Sequence, residues 1–449
     1  MRKEEYIKTV SEQIRSQMAR DMVEKELSDH IDDQAESYEK EGMSEEEAFS
    51  RAVLDMGDPV ETGIELDRIH RPEMEWKLIL LTACVSMLGL FIQYLLVRQM
   101  SGETENFSAF SQHCISVLAG FGCMIAVCYA DYSRIGKHAK LIALVLLALM
   151  LCTGTMGMEI NGRRQYWKLI LGFHLDVFPC MFLLVPLFGG ILYSYKGEGV
   201  KGFLKSMVWM LVPVLISVQM SSLSTALVLY ASMLIMITTA LLKGWFVGHG
   251  KRTAVFLWGA SILLPAVSLI SLLVKDSGYR SARIRAWLEV GYDRNGAGYL
   301  ISMVREFLGS AKWLGAGRAS GDIQMLSGAG SDFILTYLII YYGILAGVGM
   351  VSFLGILLIR CLKVSLRQKN QLGMMMGLGC SLVFLTQSVL YILVNLTILP
   401  YTRGYLPLFS LGGTAAVVSF LLLGMILSIY RHQNLLPSEP AKSYIHVKL

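Results

Sequence analysis

Charge is scarce in this sequence. Only 17% of its 449 residues are Asp, Glu, Lys or Arg. Together with 54% hydrophobic residues and a mean hydropathy of +0.51, that excludes an ordinary soluble globular protein and indicates a polytopic membrane protein. Cysteine patterns that hold metals or run redox chemistry are missing. Cys84, Cys114, Cys123, Cys128, Cys152, Cys180, Cys361 and Cys380 fall in or beside apolar segments, with no CxxC and no Cys/His cluster. They read as small buried hydrophobes. An apolar leader is missing as well. Met1-Arg2-Lys3-Glu4-Glu5 opens a charged helix, so no cleavable signal peptide is expected. The net charge of +5 is modest and the basic residues sit at the edges of apolar runs, which leaves nucleic-acid binding without support.

The charges that are present concentrate in residues 1–72, which hold no long apolar run. This segment reads as three or four short helices forming a cytoplasmic domain. Tyr6, Ile7, Val10 and Ile14 have helical spacing, and Met22, Leu27 and Ile31 continue a stripe. Ser44-Glu45-Glu46-Glu47 is a capping box, followed by Ala48, Ala52, Val53 and Met56 on one face. Gly57 ends that helix and Asp58-Pro59 starts another. His30 with Asp29, Asp32 and Asp33 is read as a solvated acidic face in preference to a metal site.

From Trp76 onward, apolar stretches alternate with short basic connectors. Ten spans are expected, each near the ~20 residues that cross a bilayer: 77–98, 109–130, 139–158, 177–195, 204–221, 223–242, 253–274, 332–359, 372–398 and 406–430. Every second connector is basic: Arg134, Lys137 and Lys140; Lys196, Lys201 and Lys205; Lys243, Lys251 and Arg252; Arg360, Lys363, Arg367 and Lys369. The positive-inside rule places these in the cytoplasm, with both termini, including a tail of 431–449. The long segment 275–330 then faces outward.

That outer segment is where the chemistry is expected, because loops carry function more often than the elements they join. Its cations include Arg283, Arg285, Arg294, Arg305 and Lys312, with Trp287, Tyr292, Tyr299 and Trp313 interleaved. Such a surface suits a bulky anionic ligand with an apolar part, since guanidinium forks match phosphate geometry. It equally suits an interfacial loop whose cations meet lipid headgroups. Asp293 and Gly296 fit the first and fourth positions of a type I turn, so a turn-forming role is open for Asp293 on spacing alone.

Two resemblances sharpen this reading. Glu26-Leu27-Ser28-Asp29-His30-Ile31-Asp32-Asp33, Gly42-Met43-Ser44-Glu45-Glu46-Glu47-Ala48 and Gly57-Asp58-Pro59 resemble the permease-prefix (HAAS) helical domain. The membrane region resembles the SEDS family of FtsW/RodA/SpoVE type over about residues 80–430. Arg283 is followed ten residues later by Asp293-Arg294-Asn295-Gly296-Ala297-Gly298-Tyr299, similar to that family's Arg and Asp-Pro-x-Gly-x-Gly-Tyr. Leu314-Gly315-Ala316-Gly317, Ser331-Asp332-Phe333-Ile334 and Gly343 resemble its later blocks. So do Asn161-Gly162-Arg163-Arg164-Gln165-Tyr166-Trp167 with Pro179, and the run Gln387, Pro400, Gly404, Pro407, Ser410, Gly412, Gly413. Departures are also present. Family acids are replaced at Met181 and at Ile340-Tyr341, Pro-Asp-Leu-Gly by Ser221-Ser222-Leu223-Ser224, Gln-Ser by Met303-Val304, and the proline after the motif Asp by Arg294.

The resemblance implies an all-α polytopic fold in the bacterial cytoplasmic membrane and a peptidoglycan glycosyltransferase that polymerises lipid II, the undecaprenyl-pyrophosphate-linked disaccharide pentapeptide. It serves cell shape, division or sporulation. It implies Asp293 as the general base and Arg283, then Arg163 and Arg164, as ligands of the departing diphosphate. Asp332, Tyr299, Gly296 and Gly298 support the site. Asp332 is placed either pairing with a loop arginine or as a helix N-cap. A divalent cation, Mg or Mn, would share the diphosphate charge, although no ligand cluster is visible. A class B penicillin-binding protein transpeptidase is the implied partner, and the prefix domain has an unidentified cytoplasmic one. The alternatives are a lipid II flippase and a non-catalytic scaffold of cell-wall assembly.

Overall fold

A computed structural model describes residues 2–15, 17–69, 71–99, 103–160, 163–168, 174–246, 250–274, 279–289, 291–293, 296–321, 326 and 328–433. Asn161, Gly162, Lys275, Asp276, Arg294, Asn295, Asp322 and the tail from 434 lie outside the described residues, as do the side chains of Arg163 and Arg280. The chain divides into two compact units, Met1–Glu75 with the residues from Tyr430 onward, and Trp76–Ile429.

The first unit holds four helices, Lys3–Gln13, Gln17–Lys40, Glu45–Asp55 and Pro59–Ile69. Its core is the stripe set read from the sequence: Tyr6, Val10, Ile14, Leu27, Ile31, Ala48, Ala52 and Val53, joined by Ala19, Val23 and Ala35. The Glu47 carboxylate accepts from the Ser44 N–H at 3.4 Å and from its hydroxyl at 2.8 Å. That satisfies a donor the helix itself cannot.

In the second unit, nine helices among the described residues are long and apolar enough to cross a membrane: Trp76–Gln99, Phe107–Tyr129, Ala139–Met156, Val177–Ser194, Gly199–Gln219, Leu223–Leu242, Ile344–Leu366, Gln371–Asn395 and Gly413–Arg431. The expected span 253–274 lies in a further helix, Gly250–Val274. Hydroxyls within the bundle return to the carbonyl four residues back, as at Ser206 to Gly202 and Ser419 to Ala415, so few polar groups face lipid unsatisfied. Others join spans, as Ser232 with Thr386 at 2.9 Å and Ser365 with Ser381 at 3.1 Å. The spans starting at Val177, Leu223, Gln371 and Gly413 are the most buried, at 78%, 61%, 67% and 72% of their windows. They are the core, and the site lies at their ends.

Three differences from the sequence expectation shape that end. First, the expected continuous span 332–359 is broken into Ile334–Tyr342 and Ile344–Leu366. Gly343 sits between them at φ +99°, and a Cβ there would meet the Trp313 carbonyl oxygen at 2.6 Å. The segment 312–317 crosses the break, and Ile344 N–H donates to the Lys312 carbonyl while Gly317 N–H donates to that of Ile340. Second, the outer segment is not a featureless polar loop. Helix Tyr299–Ser310 buries Val304 and Phe307 with Leu96, Phe333, Tyr337 and Ile340. Third, Met158–Ile160, Arg163–Lys168 and His174–Asp176 form a three-stranded antiparallel sheet. The cysteine reading also needs correction. Cys128, Cys361 and Cys380 are buried, but Cys84 and Cys152 face outward from the bundle.

Candidate functional site

The motif at Asp293 is a tight turn. The Asp293 carbonyl accepts from Gly296 N–H and Gly298 N–H, each at 3.1 Å. Its carboxylate folds over the same turn and accepts from Ala297 N–H at 2.7 Å. Asp293 adopts φ +44°, a left-handed conformation that Asp tolerates better than most residues. Gly296 leaves room for the carboxylate: a Cβ there would lie 2.3 Å from Asp293 Oδ2 and push it aside. Asp293 is exposed, and Tyr299, which opens the next helix, is 46% exposed.

A cavity of about 210 Å³ opens where the four buried spans end. Its walls come from the sheet (Gln165, Tyr166, Asp176), the turn Ser331-Asp332, the ninth span (Gln387, Asn395) and the segment before the last span (Arg403, Tyr405, Gly412). Asp293, Arg283 and Arg164 are not among the lining residues.

The turn at Asp332 is pinned from several sides. Asn395 Nδ2 donates to the Asp332 carbonyl at 2.9 Å, and the Tyr391 and Ser410 hydroxyls donate to the Ser331 carbonyl at 3.1 and 2.7 Å. Leu411 N–H donates to the Gly330 carbonyl at 2.8 Å. The Asp332 side chain is not the helix N-cap, which falls on Phe333. Its carboxylate accepts instead from the Tyr401 hydroxyl at 2.7 Å. Burial and then the Asp332 charge push the Tyr401 phenol up, so it stays protonated and keeps donating.

Tyr401 joins the cavity to the outer segment. Its ring stacks on Phe333 at 5.4 Å, and the Arg283 guanidinium lies 5.3 Å from the ring centroid. Arg283 Nη2 donates to the Tyr401 carbonyl at 2.7 Å, and Trp287 Nε1 to that of Thr397 at 3.2 Å. Arg283 is thus brought together with Asp332 through one tyrosine. Arg164 is held elsewhere, with Nη1 donating to the Thr155 carbonyl at 2.6 Å and Nε 3.6 Å from the Glu159 carboxylate.

Two charged residues of the cavity were not singled out from the sequence. Arg403 Nη2 donates to the Tyr166 hydroxyl at 3.2 Å. Asp176 ends the sheet, donates its N–H to Thr414 Oγ1 at 2.9 Å and accepts from Phe178 N–H through Oδ1 at 3.1 Å. Burial pushes its carboxyl up to about 6, against the opposing pull of the Phe178 N–H and Arg403. The available signal was an acid three residues before Pro179 and a base between Pro400 and Gly404. No group of three or more His, Cys, Asp or Glu gathers as a metal cage among the described residues.

Met181 and Ile340, which stand where family acids are expected, have relative exposures of 0%. Val304, at the expected Gln-Ser, packs with Ile340 in one apolar cluster. Met181, Ile340 and Val304 are thus apolar core in this protein.

Known proteins agree with this architecture. The chain is 25% identical over 378 residues to the probable peptidoglycan glycosyltransferase FtsW of Trichlorobacter lovleyi, covering 81% of this chain and 95% of that one. It is 25% identical over 380 residues to the protein of the same name from Geobacter sulfurreducens, covering 82% and 97%. Among solved structures, it shares the fold of a chain from a peptidoglycan synthase complex that coordinates polymerisation and crosslinking. That match has TM-score 0.65 at 18% identity, covering 80% of this chain and 98% of that one. It also shares the fold of the rod shape determining protein RodA of Thermus thermophilus, with TM-score 0.56 at 17% identity, covering 80% and 97%. The cell cycle protein family FtsW/RodA/SpoVE matches residues 75–435. With that match covering most of the chain, the protein belongs to the FtsW/RodA/SpoVE family.

Proposed function

We propose that this protein is a peptidoglycan glycosyltransferase that polymerises lipid II at the outer face of the bacterial cytoplasmic membrane. The observation that carries the reading is the path from Arg283 through Tyr401 to Asp332, which ties the segment bearing Asp293 to a cavity at one end of the bundle. The basic connectors lie at the other ends of the spans, which by the positive-inside rule supports a cavity on the outer side and both termini in the cytoplasm.

In the reaction, the 4-hydroxyl of the acceptor sugar attacks the anomeric carbon of the donor. The new C–O bond forms as the bond to undecaprenyl diphosphate breaks, and the diphosphate leaves with the electron pair. Asp293 takes the hydroxyl proton. It is exposed and its carboxylate already accepts a hydrogen bond, so an incoming sugar reaches it at the turn. Arg283 balances the charge that grows on the diphosphate in this proposal. Arg163 and Arg164 lie on the neighbouring sheet and are the more distant choice. A divalent cation such as Mg or Mn would depend on the diphosphate oxygens for ligands, because the described side chains offer no cage. Tyr299, Gly296 and Gly298 fix the turn.

Translocation of lipid II is less well supported. A flippase needs polar groups along a path through the bilayer, whereas the polar lining here gathers at one end of the spans. A scaffold role draws support from the buried apolar residues at family acid positions. A class B penicillin-binding protein transpeptidase docks on the membrane helices in this proposal, and the four-helix unit receives a cytoplasmic partner. Proteoliposomes holding the full chain and labelled lipid II separate the readings. Polymerase activity gives glycan strands, a flippase gives label transfer between leaflets without strands, and a scaffold gives neither. Affinity capture from membranes that recovers no transpeptidase would count against the partner.

A further inference from the structure

The cavity holds three formally charged side chains, Asp176, Asp332 and Arg403, together with His174. Two carboxylates therefore face one guanidinium. A diphosphate would meet more negative charge than positive there. The volume, about 210 Å³, is also below the ~300 Å³ at which pockets for whole small molecules begin. Its enclosed part suits a single ring, and because the cavity is open the rest of a lipid-linked disaccharide can extend beyond it.

The hydrogen-bonding capacity left over has the matching chemistry. An ionised carboxylate accepts about four hydrogen bonds. Asp176 has one recorded acceptance among the described residues, from Phe178 N–H to Oδ1. Arg403 has five donors in a planar fork, of which one is recorded in use, to the Tyr166 hydroxyl. A carboxylate and a guanidinium in one cavity can both pair with neighbouring hydroxyl and amide groups of a sugar. Tyr166, Tyr405 and Phe182 supply aromatic surface beside them. Asp176 is held in place at both its backbone and its side chain, by Thr414 and Phe178.

We propose that this cavity is a subsite for one uncharged N-acetylhexosamine ring of the lipid-linked glycan, with Asp176 accepting from its hydroxyls and Arg403 donating to its oxygens. The proposal rests on the polymerase reading for the identity of the glycan. It separates the site by charge: the sugar occupies the cavity, and the diphosphate lies toward Arg283.

The test uses saturation-transfer NMR on the full chain in detergent, with N,N′-diacetylchitobiose as the probe and inorganic pyrophosphate as competitor. The wild type shows transfer to the sugar protons that pyrophosphate does not displace. Asp176→Ala weakens that binding about tenfold or more, the size expected for losing one hydrogen bond to a charged acceptor. Asp176→Asn keeps an oxygen to accept from Phe178 N–H and so controls for folding. It weakens sugar binding less than the alanine and, in lipid II polymerisation, raises KM more than it lowers kcat. Absence of sugar transfer in the wild type, equal binding by Asp176→Ala, or displacement by pyrophosphate overturns the subsite. A wild type that polymerises lipid II while failing this NMR test loses the subsite alone. A wild type that binds the disaccharide through Asp176 but forms no strands loses the polymerase reading alone.

Discussion

Asp293 and Asp176 are acids at the same end of the bundle with opposite surroundings. Asp293 is exposed on a turn that its own carboxylate closes. Asp176 is half-buried at a sheet end, lines the cavity, and has its carboxyl raised by that burial. The first keeps the family pattern, while the second lies outside the motif blocks that resemble the family. Motif and cavity are therefore separate things in this protein, joined by Arg283, Tyr401 and Asp332. An acid can therefore match a family motif and still stand apart from the nearest cavity, whose own acid matches none.

The two acids should separate most clearly in activity when Asp293 is changed. Replacing it with Ala is expected to lower lipid II polymerisation by about 10²–10⁴-fold, the range for a lost general base. The stability change should be small, because the residue is exposed. Equal losses from Asp293→Ala and Asp176→Asn would erase the distinction between the two acids. Next comes the link. Arg283→Ala removes a charged hydrogen bond and is expected to cost roughly 10–100-fold in kcat/KM. Combined with Asp332→Asn in a double-mutant cycle, the effects should not add, since both act through Tyr401. Strict additivity would mean the path carries no coupling.

Gly296→Ala sharpens the local geometry. Its Cβ would fall 2.3 Å from Asp293 Oδ2, so the carboxylate must move. The expected outcome is on the order of a tenfold lower rate with a nearly unchanged melting temperature, because surface changes seldom cost more than ~0.5 kcal/mol in stability. The smallest effect concerns Asp176 and pH. Its folded-state pKa is raised, so its contribution to stability is fully present below the ordinary carboxyl range and is lost as pH rises through about 6. Asp176→Asn should therefore melt higher than the wild type at pH 7–8, with the difference shrinking toward pH 4. The reverse trend would place the carboxyl in a stabilising environment and contradict the burial argument.

Much of the fold was legible because it follows from one-dimensional patterns. Apolar runs of bilayer length gave the spans, and the stripe from Tyr6 to Ile31 gave the core of the first unit. The break at Gly343 was hidden because the apolar run continues on both sides of it, and only the chain crossing at 312–317 forces the positive φ. Helix Tyr299–Ser310 was masked by its charges, although Val304 and Phe307 keep helical spacing. The motif order singled out Asp293, Arg283 and Asp332, of which Asp332 lines the cavity and Arg283 reaches it through Tyr401. The spacing could not reveal that Tyr401 would be the partner of both Arg283 and Asp332, because that meeting joins segments far apart in the chain. Asp176 and Arg403 were passed over because neither matches a pattern. Their meaning comes from a cavity built by four distant parts of the chain.

The most direct measurement is strand formation from labelled lipid II by the purified full chain, with Asp293→Ala run beside it. Glycan strands are expected from the wild type, with a loss of at least ~100-fold in the variant. Strands formed equally by both proteins, or by neither, would contradict Asp293 as the general base of a polymerase.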